Sequence, residues 1–222
     1  NCVGLIKQLP TASDPLSAIT INSQLPHRIS MVCRTAGARL IHISTDCVFD
    51  GSQGNYTEQD HSSATDLYGR TKFLGEVHYS PHCLTLRTSI IGHEFKNKLS
   101  LVEWFLEQKG SAKGFTKAVF SGLTTLEMAH VLETYVIPNP SLTGLYHLSV
   151  DPISKHDLIS LIAKVYKKDI EILQDSKMVI DRSLNSDRFR QATGYKPPTW
   201  PELIKAMHDD FLQEPYYARE GN

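Results

Sequence analysis

Residues 39–50 read RLIHISTDCVFD and residues 67–76 read LYGRTKFLGE. The first stretch opens on a short, mostly apolar run, Arg39 to Ser44, of the kind buried on both faces of a parallel sheet. It ends on Ser44-Thr45-Asp46, where two hydroxyls and a carboxylate meet a loop. The second stretch carries Tyr68 and Lys72, four residues apart and therefore on one face of a helix. An ammonium beside a phenol favours phenolate, so Lys72 is expected to lower Tyr68 from the usual value of about 10. Such a tyrosine is an acid or base usable near neutral pH. A hydroxyl at the strand end can bond the same substrate oxygen, and the trio suits protonation of a carbonyl oxygen while hydride reaches its carbon. The spacing alone is weak, because a chain with nine tyrosines supplies roughly 0.6 such pairs by chance. The bland alternative is a surface helix with Tyr and Lys on one face. Order lifts the signal: strand-end hydroxyls, a turn-rich loop from Asp50 to Asp66, the helix, then another buried strand.

The alternation extends to both sides. Asp14-Pro15 is a helix start, with Asp as cap and Pro in the first turn. Leu16, Ile19, Leu25, Ile29 and Val32 then recur at roughly helical spacing up to Gly37, with Pro26 expected to kink the run. The central helix is predicted over Leu67 to Tyr79 and the strand after it over Cys83 to Thr88. Further on, helices are predicted over Leu99–Gln108, Thr124–Val136, Ser154–Tyr166 (Ser154 as cap, Asp157 at the capping-box position) and Trp200–Leu212. Ala118 to Phe120 reads as extended, and Leu145–Ser149 and Ile170–Leu173 as short strands. Strands alternating with helices argue an α/β fold, a Rossmann-type parallel sheet with right-handed crossovers. The rhythm is regular to about Gly92. The remainder holds most of the prolines and reads as a smaller mixed α/β part. The expected division is therefore residues 1–92, a partial dinucleotide-binding domain, and 93–222, mainly substrate-binding, with some elements returning to the sheet.

Composition excludes several classes. The 222 residues are 41% apolar and 21% charged, close to a globular average. Lys plus Arg is 23 and Asp plus Glu is 24, a formal charge of −1, with no basic run to follow a nucleic-acid backbone. No apolar stretch reaches the length of a membrane span, so neither nucleic acid nor membrane is an expected partner. The four cysteines, Cys2, Cys33, Cys47 and Cys83, form no CxxC pair and read as reduced core thiols of a cytoplasmic protein. The ten histidines lack the spacing of a metal site, and none is expected. The opening Asn1-Cys2-Val3-Gly4-Leu5-Ile6 looks like the end of a buried strand, so the chain is expected to be a fragment with its upstream part absent.

HISTDCVFDG, then YTEQD, LYGRTKFLGE and LTLRTSIIG, in that order, resemble the extended short-chain dehydrogenase/reductases, and among them most the dTDP-4-dehydrorhamnose reductase family. Arg182-Ser183-Leu184-Asn185-Ser186 is similar to that family's arginine–asparagine–serine motif, and PPTWPELIKAM to its closing helix. The resemblance implies NAD or NADP bound at the carboxyl ends of the strands and a nucleotide-sugar substrate. It places the catalytic threonine, tyrosine and lysine on Thr45, Tyr68 and Lys72, with Tyr68 as proton donor and Lys72 holding the nicotinamide ribose. It implies cofactor contacts at Cys2, Val3, Gly4, Ile43, Tyr68, Lys72 and Thr88. Substrate contacts fall at Thr45, Asp46, Ile90 and Arg182, the last matching diphosphate geometry. Asn22 falls on an asparagine that braces the helix. Sheet edges of such folds pair, so a homodimer is a candidate state.

The pattern also departs from the family. The glycine-rich GxxGxxG turn and the next two strands do not occur in this chain, which puts the expected upstream loss near about 60 residues. Cys47 stands where reductases commonly have tyrosine and dehydratases glutamate, and Ile90 where reductases commonly have tryptophan. Four readings follow. The first is a reductase of a nucleotide-linked 4-keto-6-deoxy sugar in surface-polysaccharide synthesis; the second is an NAD-dependent epimerase or dehydratase. The third is a non-catalytic, reductase-like regulatory subunit, and the fourth a fragment that binds no cofactor. Among other residues, Arg87 is expected to pair with a carboxylate in the sheet as readily as to act, and His147 to be a hydrogen-bonded core histidine. Trp104 and Phe105 read as core, Phe120 to Thr124 as a plain helix-capping turn, and Arg182, Arg188 and Arg190 have a solvated face as their alternative.

Overall fold

The computed structural model describes residues 1–95 and 99–213. Its central sheet is parallel and built from β1 (Leu40–Thr45), β2 (Cys83–Thr88) and β6 (Gly144–His147), in the order β1-β2-β6. β2 is buried along its whole length, as an apolar strand covered on both faces must be. Between β1 and β2 lies α3 (Leu67–Leu74), and before β1 a helical run of α1 (Pro15–Ala18), a π-type segment (Ile19–Gln24) and α2 (Leu25–Thr35). After β2 come β3 (Ile90–Ile91), α4 (Leu101–Glu107), β4 (Ser111–Phe120), β5 (Leu123–Thr124) and α5 (Thr125–Val131). Beyond β6 the chain forms β7 (Ile153–Ser154), α6 (Lys155–Val165), β8 (Glu171–Asp181), α7 (Asp187–Thr193) and α8 (Trp200–Gln213). A second sheet has the order β7-β4-β8, and β3 pairs with β5.

Local chemistry sets these bounds. Asp14 accepts from Ser17 N at 2.9 Å and caps α1, and Ser154 accepts from Asp157 N at 3.0 Å and caps α6. Pro26 was expected to kink the first helix; the observed irregularity is the π-type segment just ahead of it, where Leu25 N donates to Thr20 O. Pro26 has no N–H for the Asn22 carbonyl, and that carbonyl meets α3 at Gly75, where a Cβ would lie 2.0 Å from the Asn22 oxygen. α3 stops at Gly75 rather than running to Tyr79. The strands predicted over Ala118–Phe120 and Ile170–Leu173 are the ends of a much longer parallel pair, β4 and β8. α7, whose one buried residue is Phe189, carries no apolar periodicity.

The main core joins both halves of the chain: Leu84 and Leu86 of β2 pack with Phe105, Leu123, Leu158, Ile162, Phe189 and Ile204. The cysteines are all free, but the expectation that they are core thiols holds only for Cys83. Cys2 is exposed, and Cys33 and Cys47 are half-buried. Among the described residues no helix is long and apolar enough to cross a membrane.

Candidate active site

A cleft of about 780 Å³ opens at the carboxyl ends of β1 and β2. From the first half of the chain it is lined by Cys2, Gly4, Ile43, Thr45, Asp46, Cys47, Tyr68, Lys72, Thr88 and Ile90, and from the second by Lys155 and Arg182 among others. All the residues expected at a site therefore come together, except Val3. That residue is exposed, turns its N–H to the Asn1 side chain and does not line the cleft.

α3 is set against the end of β1 by two features. Asp66 caps it, accepting from Gly69 N at 2.7 Å. Gly69 then passes so close to the loop after β1 that a Cβ would lie 2.2 Å from the Cys47 carbonyl oxygen. This approach brings Tyr68 and Lys72 beside Thr45. The Lys72 ammonium donates to the Ile43 carbonyl at 2.7 Å. Thr45 donates to Asp46 Oδ1 at 3.2 Å and accepts from Cys47 N at 3.1 Å.

The electrostatics differ from the sequence expectation. Burial, then the neighbouring Cys47, Asp46 and Asp66, push the Tyr68 phenol well above its usual value, with Thr45 acting in the opposite sense. Lys72 does not offset this; its own ammonium is desolvated and pushed down to about 8, with Glu76 opposing the shift. Asp46 is raised by burial against the pull of Lys155 and Arg182. The Cys47 thiol is pushed up to about 11 by burial and by Asp46.

Behind the cleft a buried network holds these elements. Arg87 donates twice to Glu76, at 2.8 Å to each carboxylate oxygen, and Ser44 donates to the same carboxylate at 2.8 Å. The Arg87 guanidinium also donates to His147 Nε2 at 3.3 Å, and His147 Nδ1–H donates to the Tyr56 carbonyl at 3.0 Å. Arg87 and His147 are thus structural, as their bland readings had it. Asn22 clamps the Leu5 backbone, accepting from Leu5 N at 2.8 Å and donating to Leu5 O at 3.0 Å, and also donates to Thr71 at 3.2 Å.

The arginine–asparagine–serine motif divides its roles. Ser183 to Asn185 pin the Asp50–Asp66 loop: Tyr56 N donates to Ser183 O and Asn185 N to Tyr56 O. Arg182 faces the cleft, donating to Phe49 O at 2.8 Å with Nη1 3.8 Å from Cys47 Sγ. Arg188 is exposed over the Tyr146 ring, and Arg190 reaches Ser149 O. Trp104, read as core, lines the cleft instead, while Phe105 is fully buried. Lys155, at the start of α6, was missed. Its one signal in the sequence is a cation in the first turn of a helix, where the dipole disfavours it.

The residues fit half of a nicotinamide dinucleotide. Gly4 lies beside the ammonium: a Cβ there would be in ordinary contact, 3.4 Å from Asn22 Oδ1 and 4.0 Å from Lys72 Nζ. Lys72 keeps two further protons for a ribose, and Thr88 and Ile90 continue the wall. No glycine-rich turn is present among the described residues to hold the pyrophosphate.

A parallel sheet whose strand ends open on a cleft holding threonine, tyrosine and lysine defines the Rossmann-type, short-chain dehydrogenase/reductase class of fold. Within it, the chain belongs to the RmlD substrate-binding domain family, which matches residues 10–213. It is 25% identical over 224 residues to dTDP-4-dehydrorhamnose reductase of Shigella flexneri, covering 90% of this chain and 75% of that protein. It is 28% identical over 194 residues to the probable low-salt glycan biosynthesis reductase Agl14 of Haloferax volcanii, covering 82% of this chain and 64% of that one. The crystal structure of dTDP-4-dehydrorhamnose reductase from Bacillus anthracis in complex with NADP superposes with a TM-score of 0.83 at 19% identity, over 94% of this chain and 79% of that one. The chain thus spans roughly two-thirds to four-fifths of these three relatives.

Proposed function

We propose that this chain forms the catalytic and sugar-binding part of an NAD(P)-dependent reductase acting on the 4-keto group of a nucleotide-linked 6-deoxy sugar, in nucleotide-sugar or surface-polysaccharide biosynthesis. The observation that carries the reading is the gathering of Thr45, Tyr68 and Lys72 in one cleft, with Arg182 on its substrate side. Gly4 and Lys72 would hold a reduced nicotinamide, which would supply hydride to the carbonyl carbon. Tyr68 gives its proton to the oxygen as charge develops there, and Thr45 bonds the same oxygen. Lys72 holds the ribose. The product is the 4-hydroxy sugar, with one hydride and one proton added. The nicotinamide type, the sugar and a cytoplasmic place of action belong to this proposal.

Burial keeps the Tyr68 phenol above its usual value, so it rests in the protonated form that a donor needs; the residue that favours a reductase over a dehydratase is Cys47. A dehydratase also needs an acid–base carboxylate pair beside the threonine; Asp46 is present, but Cys47 stands where dehydratases commonly have glutamate, and its thiol, pushed up to about 11, does not replace one. The intact trio argues against a purely regulatory subunit.

The test is to mix the protein with NADPH or NADH and a dTDP-linked 4-keto-6-deoxy sugar and follow loss of the reduced nicotinamide. Stoichiometric consumption supports the reductase. Sugar inversion without net consumption supports an epimerase, and no turnover with retained partner binding supports a scaffold.

A further inference from the structure

Lys155 is placed where a cation is unfavourable three times over. It is the first residue of α6, eleven residues long, so its charge opposes the helix dipole. Pairing of Ile153 with Phe120 and Ser154 with Val119 brings its ammonium over the Phe120 ring, 4.0 Å from the centroid, and half-buries the side chain. Among the described residues nothing accepts a hydrogen bond from it or forms an ion pair with it, and apart from the Phe120 ring its ammonium is left to the cleft that Lys155 lines. The ring offers partial compensation. Desolvation pushes the ammonium down to about 8, with Asp46 and Cys47 supporting the charge and Lys7 opposing it.

The surroundings specify the missing acceptor. Asp46 is the main opposing charge acting on Lys155, but it is buried, already accepts from Thr45, and is pushed toward its neutral form. Lys7 and Arg182 also act on Cys47, and Arg182 has spent Nε on Phe49 O and Nη1 on the thiol. Lys155, Lys7 and Arg182 line one cleft with Cys47 and Asp46, three cations against one carboxylate that burial shifts upward. Thr45 and Tyr68, which would hold the reacting oxygen, adjoin the same point. In a nucleotide sugar the phosphate on C1 lies one ring-width from C4, and it is the anion that would reach this place.

We propose that the Lys155 ammonium, together with Arg182, grips the sugar-proximal phosphate of a nucleoside diphosphate sugar over Cys47, which makes Lys155 a substrate-binding residue. The proposal rests on the reductase reading. A flexible ammonium and a planar guanidinium from two elements fit a tetrahedral anion better than a neutral hydroxyl.

The experiment is calorimetric titration of the protein with dTDP, thymidine and inorganic pyrophosphate, for the wild type, Lys155→Met and Lys155→Arg. Methionine keeps the packing on Phe120, so the variant should fold, with a melting temperature equal to or above wild type because an unpaired, desolvated charge is gone. The expected result is a loss of about tenfold or more in dTDP and pyrophosphate affinity for Lys155→Met. Thymidine binding should not change, Lys155→Arg should recover most of the loss, and the methionine variant should show a flatter salt dependence. Equal dTDP affinity and salt dependence in wild type and Lys155→Met would overturn the assignment and leave the reductase reading standing. A wild type that binds neither dTDP nor pyrophosphate would overturn both.

Discussion

The Lys72 ammonium donates its 2.7 Å hydrogen bond to the Ile43 carbonyl at the end of β1, and not to the Tyr68 phenol one turn away on the same helix. The lysine thus ties α3 to the sheet and presents its remaining protons to the cleft, while burial governs the tyrosine. Lys72→Met should lower turnover by about 10²-fold or more and raise the KM for the nicotinamide. The thermal midpoint should move by only a few degrees, because the lost bond is offset by removing a desolvated charge. Steady-state kinetics with a thermal melt check both halves.

Glu76 and Arg87 form a buried, bidentate pair with Ser44 and His147 attached. Removing one partner strands the other charge in the core. Arg87→Met or Glu76→Gln should destabilise the fold by about 3–5 kcal/mol, read as a shift of the urea midpoint. A loss under about 1 kcal/mol would contradict the network's role.

The sheet and the trio were legible because they sit on strongly patterned segments. Leu40–Thr45 and Cys83–Thr88 are short apolar runs, and the helix between them places Tyr68 and Lys72 by spacing alone. The β4 and β8 pair was legible only at its ends. In β4 the inward positions 112, 114, 116 and 118 hold only Ala, Gly, Thr and Ala, which carry little apolar signal; β8 is a largely exposed edge with Gln174, Asp175 and Lys177 in it, and the register shifts where Phe115 and Lys117 of β4 meet Asp175 and Val179. The direction of the Tyr68 shift was not legible, since it depends on burial of the phenol in the folded cleft. Lys155 meets Asp46 and Phe120 only through the pairing of β7 with β4, a contact between distant parts of the chain.

Two buried histidines make the protein sensitive to mild acid. His42 and His147 are each pushed down to about 3, mainly by burial. In the unfolded chain they take up protons below about 6.5. Their contribution is therefore complete above about 6.5 and is lost as pH falls toward 3. In the window from about 6.5 to 5, above the range where carboxylates such as Asp50, lowered to about 2, take part, stability should fall by up to about 1.4 kcal/mol per pH unit for each histidine. Urea midpoints across this window check it, and a flat profile would contradict it.

Gly69→Ala tests how α3 is seated. The added carbon would meet the Cys47 carbonyl at 2.2 Å, so the helix must move away from the loop and take Tyr68 with it. Turnover should fall by about 10²-fold, with a far-UV spectrum close to that of the wild type. Unchanged turnover would show that this approach does not position the tyrosine.

The central claim is that the Tyr68 phenol donates the proton that completes the reduction. Tyr68→Phe removes that hydroxyl and leaves Lys72, Gly4 and Thr88 in place. Single-turnover oxidation of the reduced nicotinamide with a dTDP-linked 4-keto sugar should slow by about 10²–10⁴-fold, while nicotinamide affinity stays within about threefold. A Tyr68→Phe protein that reduces the sugar at the wild-type rate would contradict the account.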